Sequence, residues 1–374
     1  MSTLLPNSAR PVHAQLRQPA DSRTHAPVLF GKHAPIDLEA LWSQARTHDW
    51  TVNDTMDLQL AELLRTRDPA RTLDKHSRDS AVKQYLEGRD PASYGTWAYY
   101  PWANSLVHVL PPDEYRELRL SRNRNKIKPA EQNRLSAARV GIVGLSVGFS
   151  IAQTLVLEGI GGEIRLADHD TLCLSNLNRV PASNREIGIN KAVVAARRLF
   201  EIDPYLSIRV FSEGLTPENT APFLVDGGSL DLVIEECDDL ATKLRVRSEA
   251  RSSGIPVIMD TNDRGMIDVE RFDLQPERPL LHGLLGDLDA AGVDGLSPSE
   301  SIELVRRFLG RDAMSHRLAE SLEQIGVTLV SWPQLGSGTA MGAGMVTDVA
   351  RRVLLNRFRG SGRYYADPEH LVRD

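Results

Sequence analysis

The stretch DHDTLCLSNLNRV, residues 168–180, sets Asp168 and Asp170 one residue apart and then supplies Asn176, Asn178 and Arg179. Its apolar residues are too few to build a core. Lys191 follows in GINKA, and Asp238 and Asp239 follow in EECDD. Cations beside several carboxylates suit a triphosphate with a divalent metal. Arg179 and Lys191 can neutralise phosphate oxygens, and Asp238 can hold Mg²⁺, a hard cation that prefers oxygen ligands. A dinucleotide makes no such demand. The plainer alternative is a set of interlocked surface salt bridges, each worth little. It competes for any one of these residues and less well for the whole set.

These side chains act together only if the fold delivers them to one place. From Arg139 onward, apolar runs alternate with helical patterns. RVGIVG, EIRLAD, SIRVF, DLVIEE and PVIMD read as buried strands; VGFSIAQTLVLEGI, NKAVVAARRLFEI and ATKLRVRSEARSSG read as helices between them. The alternation predicts an α/β fold with a Rossmann-like, doubly wound, mostly parallel sheet. Parallel strands bring their C-terminal ends to one edge, so Asp168, Asp170, Arg179, Lys191 and Asp238 would meet there. The first strand runs into GIVGLSVGFS, in which Gly144 closes the strand, Ser146 holds the middle of the turn and Gly148 opens the helix. Backbone N–H groups in such a turn can approach a phosphate. It is not a GxGxxG, and any tight strand-to-helix turn favours glycine. Asp168, at the end of the second strand, stands where a carboxylate accepts bonds from ribose hydroxyls.

Composition narrows the classes. The chain has 374 residues, 41% hydrophobic and 6% aromatic, with net charge −6. The mixed charge offers no electrostatic case for nucleic acid or a membrane surface. No apolar run is long enough to span a bilayer, and the N-terminus lacks a signal-peptide core. Two cysteines, Cys173 and Cys237, exclude a disulfide framework and a four-cysteine zinc site. A reducing, cytoplasmic setting is the default expectation.

Residues 1–30 read as a flexible tail and 31–125 as a helical N-terminal accessory region. Within the latter, DLQLAELLRTR spaces Leu58, Leu60, Leu63 and Leu64 along one helix face, and YGTWAYYPWANSLVHVL reads as a small packed aromatic subdomain. Residues 126–374 read as the catalytic domain, with a nucleotide-binding core at 139–260. A C-terminal extension on the substrate side carries a helical insertion at 297–326. Ser297, Pro298, Glu300 and Gly310 supply a capping box, a first-turn proline and a terminal glycine. A second helix is expected from about Asp312 to Gly326, a short strand at VTLV (327–330), and a last helix near 339–358. Residues 272–335 would cover the substrate side, and LLHGLLGDLDAAGVDG is glycine-rich enough to move.

The motifs VGIVGLSVG, LADHDTLCLSNLNR, GINKAVVAARR and DLVIEECDD resemble the ubiquitin-activating-enzyme-like superfamily, also called ThiF/MoeB, over about 139–260 and more weakly to about 358. The resemblance implies adenylylation: AMP passes from MgATP to a carboxylate, and pyrophosphate leaves. By position, Asp168 would hold the ribose, Asn176, Arg179 and Lys191 would contact phosphates, and Asp238 would hold magnesium. It also implies a homodimer in which an upstream arginine, Arg122 or Arg124 of SRNRNK, reaches the neighbour's ATP site. The substrate would be a carboxylate-bearing small molecule, a peptide or a carrier-protein C-terminus. The RNRNKI…GLSVG arrangement looks like a subgroup sometimes fused to a nitroreductase-like domain. This chain is expected to end before such a domain, which makes a nitroreductase-like protein a candidate partner.

The departures are specific. Ser146-Val147 replaces the family's glycine pair and narrows the room around the phosphates. Val180 stands where glutamine is usual. The paired CxxC zinc site is missing, as is a cysteine after residue 237, so the resemblance supports no thioester step. Cys173 and Cys237 read as packing residues. Two rivals remain: a non-catalytic partner of the same family, and an NAD-dependent oxidoreductase, which would leave Arg179 and Lys191 without a role.

Overall fold

The computed structural model describes residues 22–32, 35–70, 75–293, 296–310 and 313–373. Most of the tail expected at 1–30 lies outside them. Its end does not behave as a tail: the apolar triplet β1 (Val28–Phe30) pairs antiparallel with β3 (Thr96–Tyr100).

The N-terminal region holds the expected helices, α1 (Leu38–Thr47), α2 (Met56–Arg67), α3 (Lys75–Leu86) and α4 (Pro112–Arg119). It also holds a four-stranded sheet that the sequence did not announce, ordered β1-β3-β4-β2, with β2 (Thr51–Asp54) and β4 (Ser105–Val109). Its strands are only 3 to 5 residues long, too short for alternation to stand out from the helical background. Trp97 and Tyr100 are buried, so the aromatics form a packed core. Leu60 and Leu63 are fully buried, whereas Leu58 is 72% exposed and leaves the expected face. Hydroxyls clamp this region onto the larger sheet: Tyr100 to Phe200 O at 3.2 Å, Tyr115 to Ile202 O at 2.7 Å, and Tyr205 back to Leu110 O at 2.6 Å.

After α5 (Pro129–Ala137) come β5 (Arg139–Val143), α6 (Gly148–Leu157), β6 (Glu163–Ala167), α7 (Lys191–Ile202), β7 (Ser207–Phe211), α8 (Thr220–Val225), β8 (Leu232–Glu235), α9 (Leu240–Ser252) and β9 (Val257–Asp260). All five predicted strands and all three predicted helices form. The seven-stranded sheet runs β11-β10-β9-β8-β5-β6-β7. β5 pairs in parallel with β6 on one side and β8 on the other, so strand order reverses at β5. The crevice at the C-terminal ends of β5 and β8 is the usual ligand position of a doubly wound sheet.

The parallel run ends at β9. β10 (Met266–Glu270) and β11 (Gly362–Tyr365) add antiparallel to it. β10 escaped the sequence reading because its MIDVE carries Asp268 and Glu270, both buried. Their charge is met from inside: Arg247 lies 2.6 Å from Glu270, and Arg363 lies 2.8 Å from Asp268.

The C-terminal extension contains α10 (Pro298–Leu309), α11 (His316–Gln324), α12 (Gly336–Leu354) and α13 (Pro368–Leu371). The capping box of Ser297 and Glu300 forms as expected. Two expectations fail here. VTLV is not a strand: Val327 and Val330 are 77% and 100% exposed, and the segment closes a turn in which Gly326 N donates to Leu329 O at 2.8 Å. The start of LLHGLLGDLDAAGVDG is pinned, because Leu281 and Leu285 are buried against Leu244, Met259 and Phe308. Leu281 and His282 sit there at left-handed φ values of 48° and 58°, held by burial and by the Leu281 N–H bond to Glu270 Oε1 at 2.7 Å. Among the described residues no helix is long and apolar enough to cross a membrane.

Candidate active site

The glycine turn is the floor of the site. Gly144 has φ +84°, and an added Cβ would lie 2.6 Å from the Glu236 carbonyl, so glycine is required twice over. Gly148 starts α6 without a side-chain cap, which leaves first-turn N–H groups open. Ser146 is half-buried beside them, and Val147 turns its side chain into the wall.

Asp168 is 7% exposed. Its Oδ2 accepts the Leu145 N–H at 2.7 Å and its Oδ1 accepts the Asp170 N–H at 2.8 Å. The carboxylate thus ties the glycine turn to the end of β6, and a ribose hydroxyl would use the remaining lone pairs. Burial pushes its carboxyl above the ordinary value, against the pull of Lys191. Lys191 is buried, and its Nζ lies 2.8 Å from Asp170 Oδ2. An ammonium has three donors, so two remain for phosphate oxygens. Partial burial would raise the Asp170 carboxyl, but the Lys191 bond and charge hold it below its usual value. His169 brings a third potential ligand atom within 4.8 Å of these two acids. Their oxygens are already engaged, and the trio is best read as a structural clasp.

Asn176 Oδ1 accepts the Cys173 N–H at 3.0 Å, capping the short turn Leu174–Asn178 and leaving the amide NH₂ to donate. Arg179 Nη1 donates to Asn178 Oδ1 at 2.9 Å, while its buried Nε has no partner among the described residues. Burial lowers the Arg179 pKa, and the charge of Asp238 opposes that. Asp238 lies on the cleft wall with an exposed residue surface, and its carboxylate makes no ion pair or hydrogen bond among the described residues. The protein around it raises its pKa, against the pull of Lys243, Lys191 and Arg179. Asp239 is instead the N-cap of α9, accepting from Thr242 N at 2.7 Å. The charges of Lys191 and Arg179 thus both act on the Asp238 carboxyl.

Arg122 and Arg124 do not join them within one chain. Their neighbour Asn123 donates to Glu158 O at 3.0 Å, at the far end of α6 from the glycine turn. Both are exposed. Cys173 is exposed as well, not packed as expected. Cys237 is half-buried, and its Sγ sits 2.8 Å from Glu235 Oε1. Val180, at the glutamine position, is 4% exposed and packs in the core.

A cleft of about 1170 Å³ opens from Val147 and Asp238 toward the C-terminal extension. Val305, Phe308, Leu309 and Leu318 form its apolar wall. Asn178 Nδ2 donates to Gln334 O at 2.8 Å and ties the Asn176–Arg179 turn to the entry of α12. The sequence reading missed two buried acids on this cleft, Glu236 and Asp260. Consecutive acids at the end of a strand buried on both faces were the available signal, since one of Glu235 and Glu236 must point to each face. Glu236 Oε1 accepts the Asp260 N–H at 2.8 Å. Burial, with Asp260 adding to it, pushes the Glu236 carboxyl well above its usual value.

Burial also pushes Asp260 from 3.8 to about 6. Folding therefore favours its protonated form. That stability is present below pH 3.8 and is lost as pH rises through about 6, a difference of about 3 kcal/mol at most. Asp260→Asn should gain stability over the native chain at neutral pH and much less near about pH 4. Urea unfolding at both pH values checks this, and an equal gain at both would show that Asp260 is not the titrating group.

Residues 120–363 match the ThiF family. Uncharacterized protein MT1398 of Mycobacterium tuberculosis is 44% identical over 319 residues, 84% of this chain and 44% of that protein. The tRNA threonylcarbamoyladenosine dehydratase of Escherichia coli is 33% identical over 133 residues, 35% of this chain and 48% of that one. The sulfur carrier protein adenylyltransferase of Thermus thermophilus is 30% identical over 166 residues, 43% of this chain and 57% of that one. This chain spans about half the length of these curated relatives. The family match runs from the end of α4 into β11, more than half of the 374 residues, and on that ground the chain belongs to the ThiF family.

Proposed function

We propose that this chain transfers AMP from ATP to a substrate carboxylate and releases pyrophosphate, without a cysteine thioester. The observation that carries the reading is the set of charged groups around the uncapped start of α6 at the switch point of the sheet: Asp168 bonded to Leu145 N, Lys191 bonded to Asp170, and Asp238 on the cleft wall with Val147. A relative named as an adenylyltransferase supports the reaction class.

Mg²⁺ fits the donor set. Asp238 offers carboxylate oxygens unclaimed by the chain, and Mg²⁺ is commonly bound through one or two carboxylates plus substrate phosphates. When bound, the ion would offset phosphate and leaving-group charge. The chain's own groups do the rest. The α6 amides and Lys191 draw the phosphates into the crevice. Arg179 faces the charge that builds on the departing pyrophosphate, and its unpartnered Nε is a donor held ready for it. The substrate carboxylate is already ionised at neutral pH, so its in-line attack on the α-phosphorus needs no strong base. Cys237 is ill suited to thioester chemistry, because burial and Glu235 push its thiol well up and disfavour the thiolate. Arg122 or Arg124, both exposed, would serve the ATP site of a neighbouring copy in a homodimer.

ATP–pyrophosphate exchange over a panel of carboxylates tests the reading. Carboxylate-dependent label exchange is the expected result. Tight NADH binding without ATP binding would replace it with an oxidoreductase.

A further inference from the structure

Among the described residues, three buried oxygen acceptors on the cleft have no donor: Asp260 Oδ2, Asn262 Oδ1 and Gln334 Oε1. Asp260 as a residue is 5% exposed. Their neighbours determine which atoms are left over. Asp260 Oδ1 accepts the Asn262 N–H at 2.9 Å. The Asn262 amide nitrogen donates to Thr339 Oγ1 at 3.3 Å, and that hydroxyl donates onward to Leu335 O at 3.2 Å. The Asn262 oxygen is therefore the free end.

Two of the acceptors lie against the same face of α12. An added Cβ on Gly342 would lie 1.9 Å from Asp260 Oδ2, and one on Gly338 would lie 2.6 Å from Asn262 Oδ1. Residues 338 and 342 stand one above the other on a helix face. Gln334 lies just ahead of the first turn of α12. Asp260 Oδ2 lies against the bare glycine backbone of α12. Glu236 adds a second buried carboxyl beside it, and no cation among the described residues is hydrogen-bonded to either.

A buried acceptor left unmatched is costly, so such a group marks a ligand that brings the donor. Phosphate and carboxylate ligands bring acceptors and are excluded by polarity. A small divalent ion needs several oxygens gathered in one shell. The carboxylates of Glu236, Asp238 and Asp260 do not come within 4.8 Å of one another as a set. An ammonium has three donors, no acceptor and the opposite charge.

We infer that the cleft seats an ammonium group on Asp260 and Asn262, borne by a reactant whose apolar body lies against Phe308, Leu309 and Leu318. The inference rests on the adenylylation reading for the reaction, though not for the binding. The ammonium belongs either to the activated acid, as in an apolar amino acid, or to an amine that accepts the acyl group.

The whole chain decides this by calorimetry and kinetics. Phenethylamine should bind roughly 10- to 100-fold more tightly than phenethyl alcohol, the range for a hydrogen bond to a charged group. Asp260→Asn should collapse that ratio toward one. Equal binding of amine and alcohol by the native chain, or a ratio unmoved in Asp260→Asn, overturns the seat; the first comparison needs no variant to fold. Faster ATP–pyrophosphate exchange with phenylalanine than with 3-phenylpropanoate places the ammonium on the acid. Equal exchange, with AMP release accelerated by phenethylamine, places it on the acceptor; both outcomes sustain the seat. If no carboxylate supports exchange while the amine preference persists, adenylylation is discarded and the seat stands.

Discussion

Asp238→Ala is expected to slow ATP–pyrophosphate exchange by roughly 10²–10³-fold, the usual cost of removing one preorganised electrostatic group. Arg179→Ala should match it. Both losses should fall mainly on kcat, because the charges they offset grow as the phosphates separate. The geometry makes the pair informative. Among the described residues Asp238 has no bonded partner to release, and Arg179 is bonded to Asn178 and, at 3.5 Å, to Ser175 O, so neither change should unsettle the core. Thermal denaturation would confirm that both variants fold. Near-native exchange by both would remove these residues from the reaction, whatever the chain binds.

The largest effect on stability is expected from Arg247→Met. Arg247 is fully buried and bridges Glu235 at 2.5 Å and Glu270 at 2.6 Å, both also fully buried. Lys243 Nζ reaches Glu235 at 3.1 Å but not Glu270. Removing Arg247 strands the Glu270 charge, and breaking a buried pair in this way costs roughly 3–5 kcal/mol. For a chain of this size that lowers Tm by roughly 4–6 °C. The double change Arg247→Met with Glu270→Gln should recover part of the loss, because the stranded charge goes too. A Tm shift below about 2 °C for the single variant would show that the network contributes little. The damage should extend to the cleft, since Glu270 also holds the Leu281 N–H.

The parts of the fold legible in the sequence are those built by one repeated physical pattern. Five apolar strands alternating with helices left little freedom in the sheet, and the sheet edge then brought Asp168, Lys191, Arg179 and Asp238 together. What stayed hidden was built by exceptions. β10 is a strand that buries two acids, and its stabilising arginines come from α9 and from residue 363, so no local window reveals it. The N-terminal sheet is assembled from strands of 3 to 5 residues separated by helices. Asp260 and Asn262 became part of the site only because α12, far along the chain, presses two glycines against them. The sequence reading placed a helix near 339–358 but gave no sign of what its glycines would approach.

That contact between Gly342 and Asp260 limits how the protein can diversify. A methyl group at position 342 would occupy the space of the acid's outer oxygen. A descendant with a larger residue there must also give up the acid at 260, and one that keeps the acid must keep the bare helix. Positions 260 and 342 therefore constrain each other, one of them on a backbone that offers no side chain to the cleft.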